Sequence, residues 1–356
     1  MIFAIILLVL LGLSMLVNLG QFASGIIHGR RGAVVSARTA GPTLDEAVLE
    51  DNDANSKIAV VEVNGIITGS AINQQGYSMV DLIKAQLDRA RDDRRVKAVI
   101  LKVDSPGGEV LASDEINQAI RNFQDGKRSN GQDEDHSKAK PVIVSMGNLA
   151  ASGGYYISVP CRYIVANKMT ITGSIGVIMH GWNYRALMDK VGIVPEVYKS
   201  GKFKDMLSGS RETNSIPPEE HQMVQNLINE VYGDFKQVVA DGRKAAYDNN
   251  KDCRQLVDDW TNYADGRVLS GPEALKLGFV DKIGNFQDAV ESAENMVGIS
   301  KANLIRYEER YDLSDIFHLF GESSRTDAKS IKVDLGFDAP KLQEGHLYFL
   351  SPVLTP

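Results

Sequence analysis

The chain has 356 residues, 43% of them hydrophobic and 24% charged, and a net charge of −7. That is long enough to bury a large core, and it lacks the basic excess that nucleic-acid binding requires. Cys161 and Cys253 are too few for a disulfide framework and fit no metal-ligand spacing. The sequence leaves open whether they pair, and it implies no metal and no cofactor.

Residues 1–29 contain no Asp, Glu, Lys or Arg, and residues 2–17 are almost wholly apolar; with 21–27 they match a bilayer span of about 20 residues. This predicts one N-terminal transmembrane helix. A cleaved signal peptide would begin with basic residues and end in a small-residue cleavage site, and neither is present. Residues 30–56 read as a polar linker. Arg30, Arg31 and Arg38 follow the span, which by the positive-inside rule would hold the rest of the chain in the cytoplasm.

From Lys57 the pattern is α/β. Strands are predicted over 57–67, 96–103 and 141–146, and helices over 80–91, 114–123 and from Ser152 onward. Such alternation gives a parallel sheet with crossover helices, whose functional groups gather at the carboxyl ends of the strands. Residues 125–140 mix charges without an apolar period and read as a mobile surface insertion. A short helix is expected over 184–191. Another, over 217–240, begins after Pro217-Pro218 and carries Met223, Leu227, Ile228, Val231, Phe235, Val238 and Val239 as a stripe for the core or a subunit interface. Residues 304–320 read as a helix, and the apolar run 347–350 has no assigned role.

Four segments carry possible chemistry. In 146–157, Ser152 stands between small residues and Gly153-Gly154, where a strand turns into a helix. It is either a nucleophile beside free backbone N–H groups or an ordinary helix N-cap. Asp104-Ser105-Pro106-Gly107-Gly108 ends a strand with two glycines that can bring N–H groups close to a bound carbonyl. A second glycine-flanked serine loop spans 172–177, and 198–205 follows with Lys199, Lys202 and Lys204.

In order and spacing, these segments resemble the signal peptide peptidase A family of membrane-bound serine proteases with the Clp/crotonase fold, over about residues 57–297. The resemblance implies Ser152 as nucleophile and Lys204, rather than Lys199 or Lys202, as general base. It also implies that Ser174 holds the lysine amine, and that Gly108 and Gly153 donate to the oxyanion. The chemistry is coherent, because a serine hydroxyl needs a base and a lysine serves once burial or cationic neighbours keep its amine neutral. Such a dyad needs no histidine. His180 alone lies near these loops, and a Ser-His-Asp arrangement is the weaker alternative. Asp104 and Asp205 read as turn residues.

The implied organisation is a membrane anchor (1–29), a linker (30–56), a protease domain (57–300) and a C-terminal extension (301–356). The implied protein is a membrane-anchored serine endopeptidase that degrades cleaved signal peptides and other membrane-associated peptides. It would lie on the extracytoplasmic side, in a homo-oligomeric ring whose neighbours share active sites. A membrane protease acting on stomatin-like partners, a crotonase-fold acyl-CoA enzyme and a binding scaffold with a lapsed site are the alternatives.

Overall fold

The computed structural model describes residues 41–73, 76–310 and 347–351. The anchor expected over 1–29 lies outside them, and among the described residues no helix is long and apolar enough to cross a membrane. The described residues from 42 onward form one unit.

Its sheet runs in the order β1 (Leu44–Glu50), β10 (Asn303–Glu309), β2 (Lys57–Asn64), β3 (Val96–Ser105), β5 (Val142–Ala151), β6 (Tyr163–Ala166) and β9 (Lys282–Ile283). Near the end of β5, β7 (Ile171–Gly173) takes over as its partner, and β8 (Val268–Ser270) pairs with β7. Pairing is parallel from β10 through β9, and antiparallel for β1–β10 and β7–β8. The α/β class with a mostly parallel sheet is therefore as the alternation of the sequence predicts.

Both faces of the sheet are covered, which is why its strands read as nearly continuous apolar runs. Ala59, Val61 and Val63 on β2 and Val99, Leu101 and Val103 on β3 share a core with α1 (Met79–Asp92) and α2 (Val110–Gln124). Ile58, Ala98, Ile100 and Ile143 point the other way, toward Ala289, Val290 and Ala293 of α7 (Phe286–Val297). Capping boxes begin α1 and α7, Ser78 with Asp81 and Asn285 with Asp288, each worth about 1 kcal/mol of helix stability.

Three expectations change. Residues 303–309 are the strand β10, parallel to β2, where a helix was expected from 304; Leu304, Ile305 and Tyr307 are buried between β1 and β2, and that tertiary pairing overrides local preference. Residues 311–320 of the same stretch lie outside the described residues. The sheet also takes β1 from the stretch read as linker and β10 from the stretch read as extension.

The third change concerns 125–140, which is pinned to α1 rather than loose. Buried Arg91 donates to the Gly126 carbonyl at 2.9 Å, and Ser129 bonds the Asp88 carboxylate at 2.8 and 3.0 Å. Lys140 donates to the carbonyls of Ala90, Arg91 and Asp93 at 2.6, 3.0 and 2.7 Å, so its charge satisfies the end of α1. The charges that looked merely solvated are the partners of that helix.

Four short elements and one long helix frame the site. β4 (Gly107–Glu109) pairs antiparallel with β11 (Tyr348–Leu350), and α3 (Gly153–Ser158) follows β5. The short helix expected over 184–191 is α4 (Arg185–Lys190). α5 (Pro218–Asn249) has 32 residues, extending the predicted helix at its C-terminal end. Its Arg243 is buried and ion-paired with buried Asp281, which also accepts from the Ile164 N–H at 2.8 Å.

Candidate active site

β5 does not stop at Met146 as expected. It runs to Ala151 because Leu149, Ala150 and Ala151 pair with Ile171, Thr172 and Gly173 of β7. Ser152 is thus the first residue beyond the strand, and its N–H donates to the Gly173 carbonyl at 2.8 Å. Its backbone sits at φ 54° and ψ −116°, a region natural to glycine that costs a serine on the order of 1–3 kcal/mol.

The side chain removes the N-cap interpretation. Ser152 makes no capping bond to α3, and its Oγ is buried without a hydrogen-bond partner in a residue 1% exposed. A buried hydroxyl left unpaired costs about 1–3 kcal/mol. Strain and an unused polar atom therefore coincide on one side chain, a combination that structural roles avoid and nucleophiles tolerate.

Across from it, β3 gives way at Pro106 to Gly107, held at φ 101°, and Gly108. A Cβ on Gly153 would lie 3.1 Å from the Gly108 nitrogen and 2.7 Å from Ser113 Oγ. One on Gly108 would lie 1.9 Å from the Ile67 carbonyl oxygen. The missing side chains let the Gly108 and Gly153 backbones approach beside Ser152, where two amides can serve a developing oxyanion.

Ser174 is buried on the next turn, at φ 51°, and its N–H donates to the Arg267 carbonyl at 2.7 Å. It directly follows Gly173, the acceptor for Ser152. Arg267 in turn holds the Asp265 carboxylate at 2.7 and 2.6 Å, and that hydrogen bonding holds Asp265 down at about 2. The chain thus brings together Ser152, Ser174, Gly108 and Gly153.

Lys204 makes no hydrogen bond to the Ser152 hydroxyl. It lies exposed on a turn whose own N–H bonds the Gly201 carbonyl, and its amine has no partner among the described residues. Lys199 is taken up by Asp205 at 2.7 Å, and Lys202 lies 4.7 Å from the centre of the Phe203 ring. His180 is half-buried with an unpartnered Nε2 and makes no bond to Ser152. Asp104 accepts from the Leu149 N–H at 3.0 Å as a turn staple, and Asp205 serves Lys199. Both cysteines are buried and unpaired, and burial pushes the Cys253 thiol up to about 12.

Two neighbours of the site were not assigned to it from the sequence, Phe235 of α5 and Phe349 of β11. Phe349 stacks on Tyr156 of α3, which the sequence did place beside the site, with ring centres 4.9 Å apart, and packs tilted against Phe235 at 4.6 Å. Phe235 belongs to the apolar stripe read as core or interface, which it is, and nothing in helical spacing marks one member of a stripe as lying beside a nucleophile.

A strained serine between converging backbone amides defines the machinery of a serine-type hydrolase. Peptidase family S49 matches residues 134–300. The chain is 37% identical over 243 residues to a Synechocystis sp. protein carrying a provisional protease name, covering 68% of this chain and 75% of that one. It is 34% identical over 269 residues to an Enterococcus faecium protein provisionally named signal peptide peptidase SppA, covering 74% and 71%. Among solved structures, a membrane-bound stomatin-specific protease overlaps 72% of this chain and 100% of its own at 16% identity and a TM-score of 0.42. The chain belongs to the S49 family of signal peptide peptidase A and is a serine peptidase.

Proposed function

We propose that the protein is a membrane-anchored endopeptidase that degrades cleaved signal peptides and other membrane-associated peptides with a Ser152–Lys204 dyad on a Clp/crotonase-like domain. The observation that carries this reading is the buried, unpartnered Ser152 Oγ on a strained turn beside Gly108 and Gly153. Lys204 Nζ takes the hydroxyl proton as Oγ attacks the peptide carbonyl carbon. The oxyanion is held by the Gly108 and Gly153 N–H groups. As the C–N bond breaks, Lys204 returns the proton to the leaving amine, and water then hydrolyses the acyl-enzyme by the same route. Ser174 orients the lysine.

The base comes from a neighbouring subunit in a homo-oligomeric ring. Supporting this, Lys204 is exposed and makes no bond to the Ser152 hydroxyl of its own chain, and it lies on a stretch that exposes Trp182, Leu187, Val191, Val194 and Tyr198. Apolar surface on that scale marks an interface. The catalytic domain lies on the extracytoplasmic side, anchored through residues 1–29. A stomatin-like partner would be the alternative protein substrate, and an acyl-CoA reaction would leave Ser152 unused.

The test is mass spectrometry of products from a synthetic signal peptide incubated with the detergent-extracted full-length protein. Internal cleavage that Ser152→Ala abolishes supports the reading. Turnover of an acyl-CoA thioester that survives Ser152→Ala would replace it.

A further inference from the structure

The turn that carries Lys204 is fastened to the body by one buried ion pair. The carbonyls of Gly201, Phe203 and Asp205 accept from the N–H groups of Lys204, Met206 and Ser208 at 3.2, 3.0 and 3.1 Å, so 201–208 is a succession of tight turns with no strand ladder to fix it. Arg211 supplies the attachment. Its guanidinium donates to both carboxylate oxygens of Glu220 at 2.8 Å, to the Ser215 carbonyl at 3.1 Å and to the Asp205 carbonyl at 3.4 Å. It also lies 3.5 Å from the Asp205 carboxylate. The Glu220 side chain is 4% exposed and that of Arg211 12%. Glu220 stands in the first turn of α5, where the helix dipole favours its charge.

The backbone between Asp205 and Arg211 is shaped as well as tied. Leu207 sits at φ 66°, a conformation that a leucine keeps only where its surroundings over-determine it. Tyr184 N–H donates to the Gly209 carbonyl at 2.9 Å, and a Cβ on Gly209 would lie 2.0 Å from the Trp182 carbonyl oxygen, so the segment is closed against 182–184 too. The acids of this region also sort its lysines. Asp205 takes Lys199 at 2.7 and 2.9 Å, and Glu219 lies 3.9 Å from Lys202, which leaves Lys204 as the one of the three with no acidic partner among the described residues. Further along α5, Phe235 packs edge-on against Tyr156, four positions after Ser152, with ring centres 5.0 Å apart. Glu220 and Phe235 are fifteen positions apart on one helix, about 22 Å along its axis.

We infer that Arg211 and Glu220 are positioning residues for the reaction: their pair locks the Lys204 turn to the start of α5 and so sets where the amine stands when it meets a neighbour's Ser152. The inference rests on the proposed role of Lys204 as a base shared between chains. Neither residue touches the substrate. Without the pair the turns can still form, but the lysine drifts, and a misplacement of about 1 Å costs on the order of 100-fold in rate.

The test uses mixed assemblies of full-length Ser152→Ala and Lys204→Ala chains, isolated through two tags, in which the first chain contributes the lysine and the second the serine. Arg211→Met in the lysine-contributing chain should lower kcat about 100-fold with KM within about twofold. The same substitution in the serine-contributing chain should change kcat less than about twofold, because the lysine of that chain is already absent. A merely structural role would make the two placements equal, so equal losses, or no loss in either, would overturn the inference. Should the stranded Glu220 carboxylate prevent folding, Arg211→Met with Glu220→Leu removes both charges and is placed in the same two ways. Mixed assemblies that are inactive with Arg211 intact would instead overturn the shared dyad; kcat of Arg211→Met in the otherwise unaltered chain then decides, a value equal to wild type overturning the positioning role and a 100-fold fall at unchanged KM upholding it within one chain.

Discussion

The cleft around Ser152 and the stretch 179–216 that carries Lys204 belong to one chain and are built in opposite ways. The cleft is made from strand ends: β3, β5 and β7 deliver Gly108, Ser152 and Ser174 to one place, and each backbone is fixed by bonds to its neighbour. The Lys204 stretch has a single short α-helix, three exposed aromatics in Trp182, Tyr184 and Tyr198, and a run of exposed valines and leucines. A nucleophile and its oxyanion donors must be positioned to fractions of an ångström before substrate arrives, whereas in the proposed shared site the base reaches its equally exact position only when the neighbouring chain docks.

The sharpest way to break this contrast is at Ser152. Ser152→Ala should lower kcat by about 10⁴-fold or more and leave the thermal transition nearly in place, since the Oγ bonds nothing. Ser152→Gly should be as inactive yet more stable in urea by about 1 kcal/mol, because glycine accepts φ 54° without strain. A glycine variant less stable than wild type would remove the argument from strain.

Lys204 tests the other half. Lys204→Arg and Lys204→Met should each cost up to about 10⁴-fold in kcat, the contribution of a general base, with stability unchanged within about 0.5 kcal/mol as expected for an exposed residue. Ser152→Ala and Lys204→Ala chains, each inactive alone, should regain part of the activity when co-expressed and isolated as mixed assemblies through two tags. Verified mixed assemblies that stay inactive would place the whole dyad in one chain. Equal losses in Lys199→Met or Lys202→Met would reassign the base.

Next in size is the buried pair Arg243–Asp281, which fastens the lower part of α5 to the body that carries the cleft. Arg243→Met should cost about 3–5 kcal/mol in urea unfolding, because it strands a buried carboxylate; loss below 1 kcal/mol would mean that α5 is not needed to hold that side together.

The smallest effect belongs to Asp265 beside Ser174. Its folded-state pKa is held at about 2, below the usual 3.8, by Arg267, so the pair stabilises the fold above pH 3.8 and that contribution is lost as pH falls through about 2. Both side chains are about half exposed, which limits the contribution to under about 1 kcal/mol. Asp265→Asn should remove it at neutral pH and flatten that acid portion of the stability profile; a stability-versus-pH curve identical to wild type would show the pair to be inert.

Much of the cleft was legible because its parts are local. Strand, glycine pair and serine-before-glycine are short patterns whose backbone consequences follow from the missing Cβ and from the strand-to-helix turn. What escaped depended on partners far along the chain. β10 read as helix because the apolar spacing of 304–307 fits either period, and only its place between β1 and β2 decides. The charges of 125–140 read as solvated because their acceptors, the last carbonyls of α1, cannot be seen in composition. Phe235 and Phe349 lie 114 positions apart in sequence, so no window contains the pocket they share. Lys204 was placed in its role by family motif alone, and within the single chain it makes no hydrogen bond to the Ser152 hydroxyl.

The two-edged slot that β11 fills has a consequence for what can enter. A polypeptide seated there must turn main-chain donors and acceptors toward β4 on one side and Ile178 on the other, so it cannot keep a helix or a sheet of its own. Under the proposed function, a peptide entering along those edges would have to be extended, so a folded protein or a helical segment would have to unwind locally first.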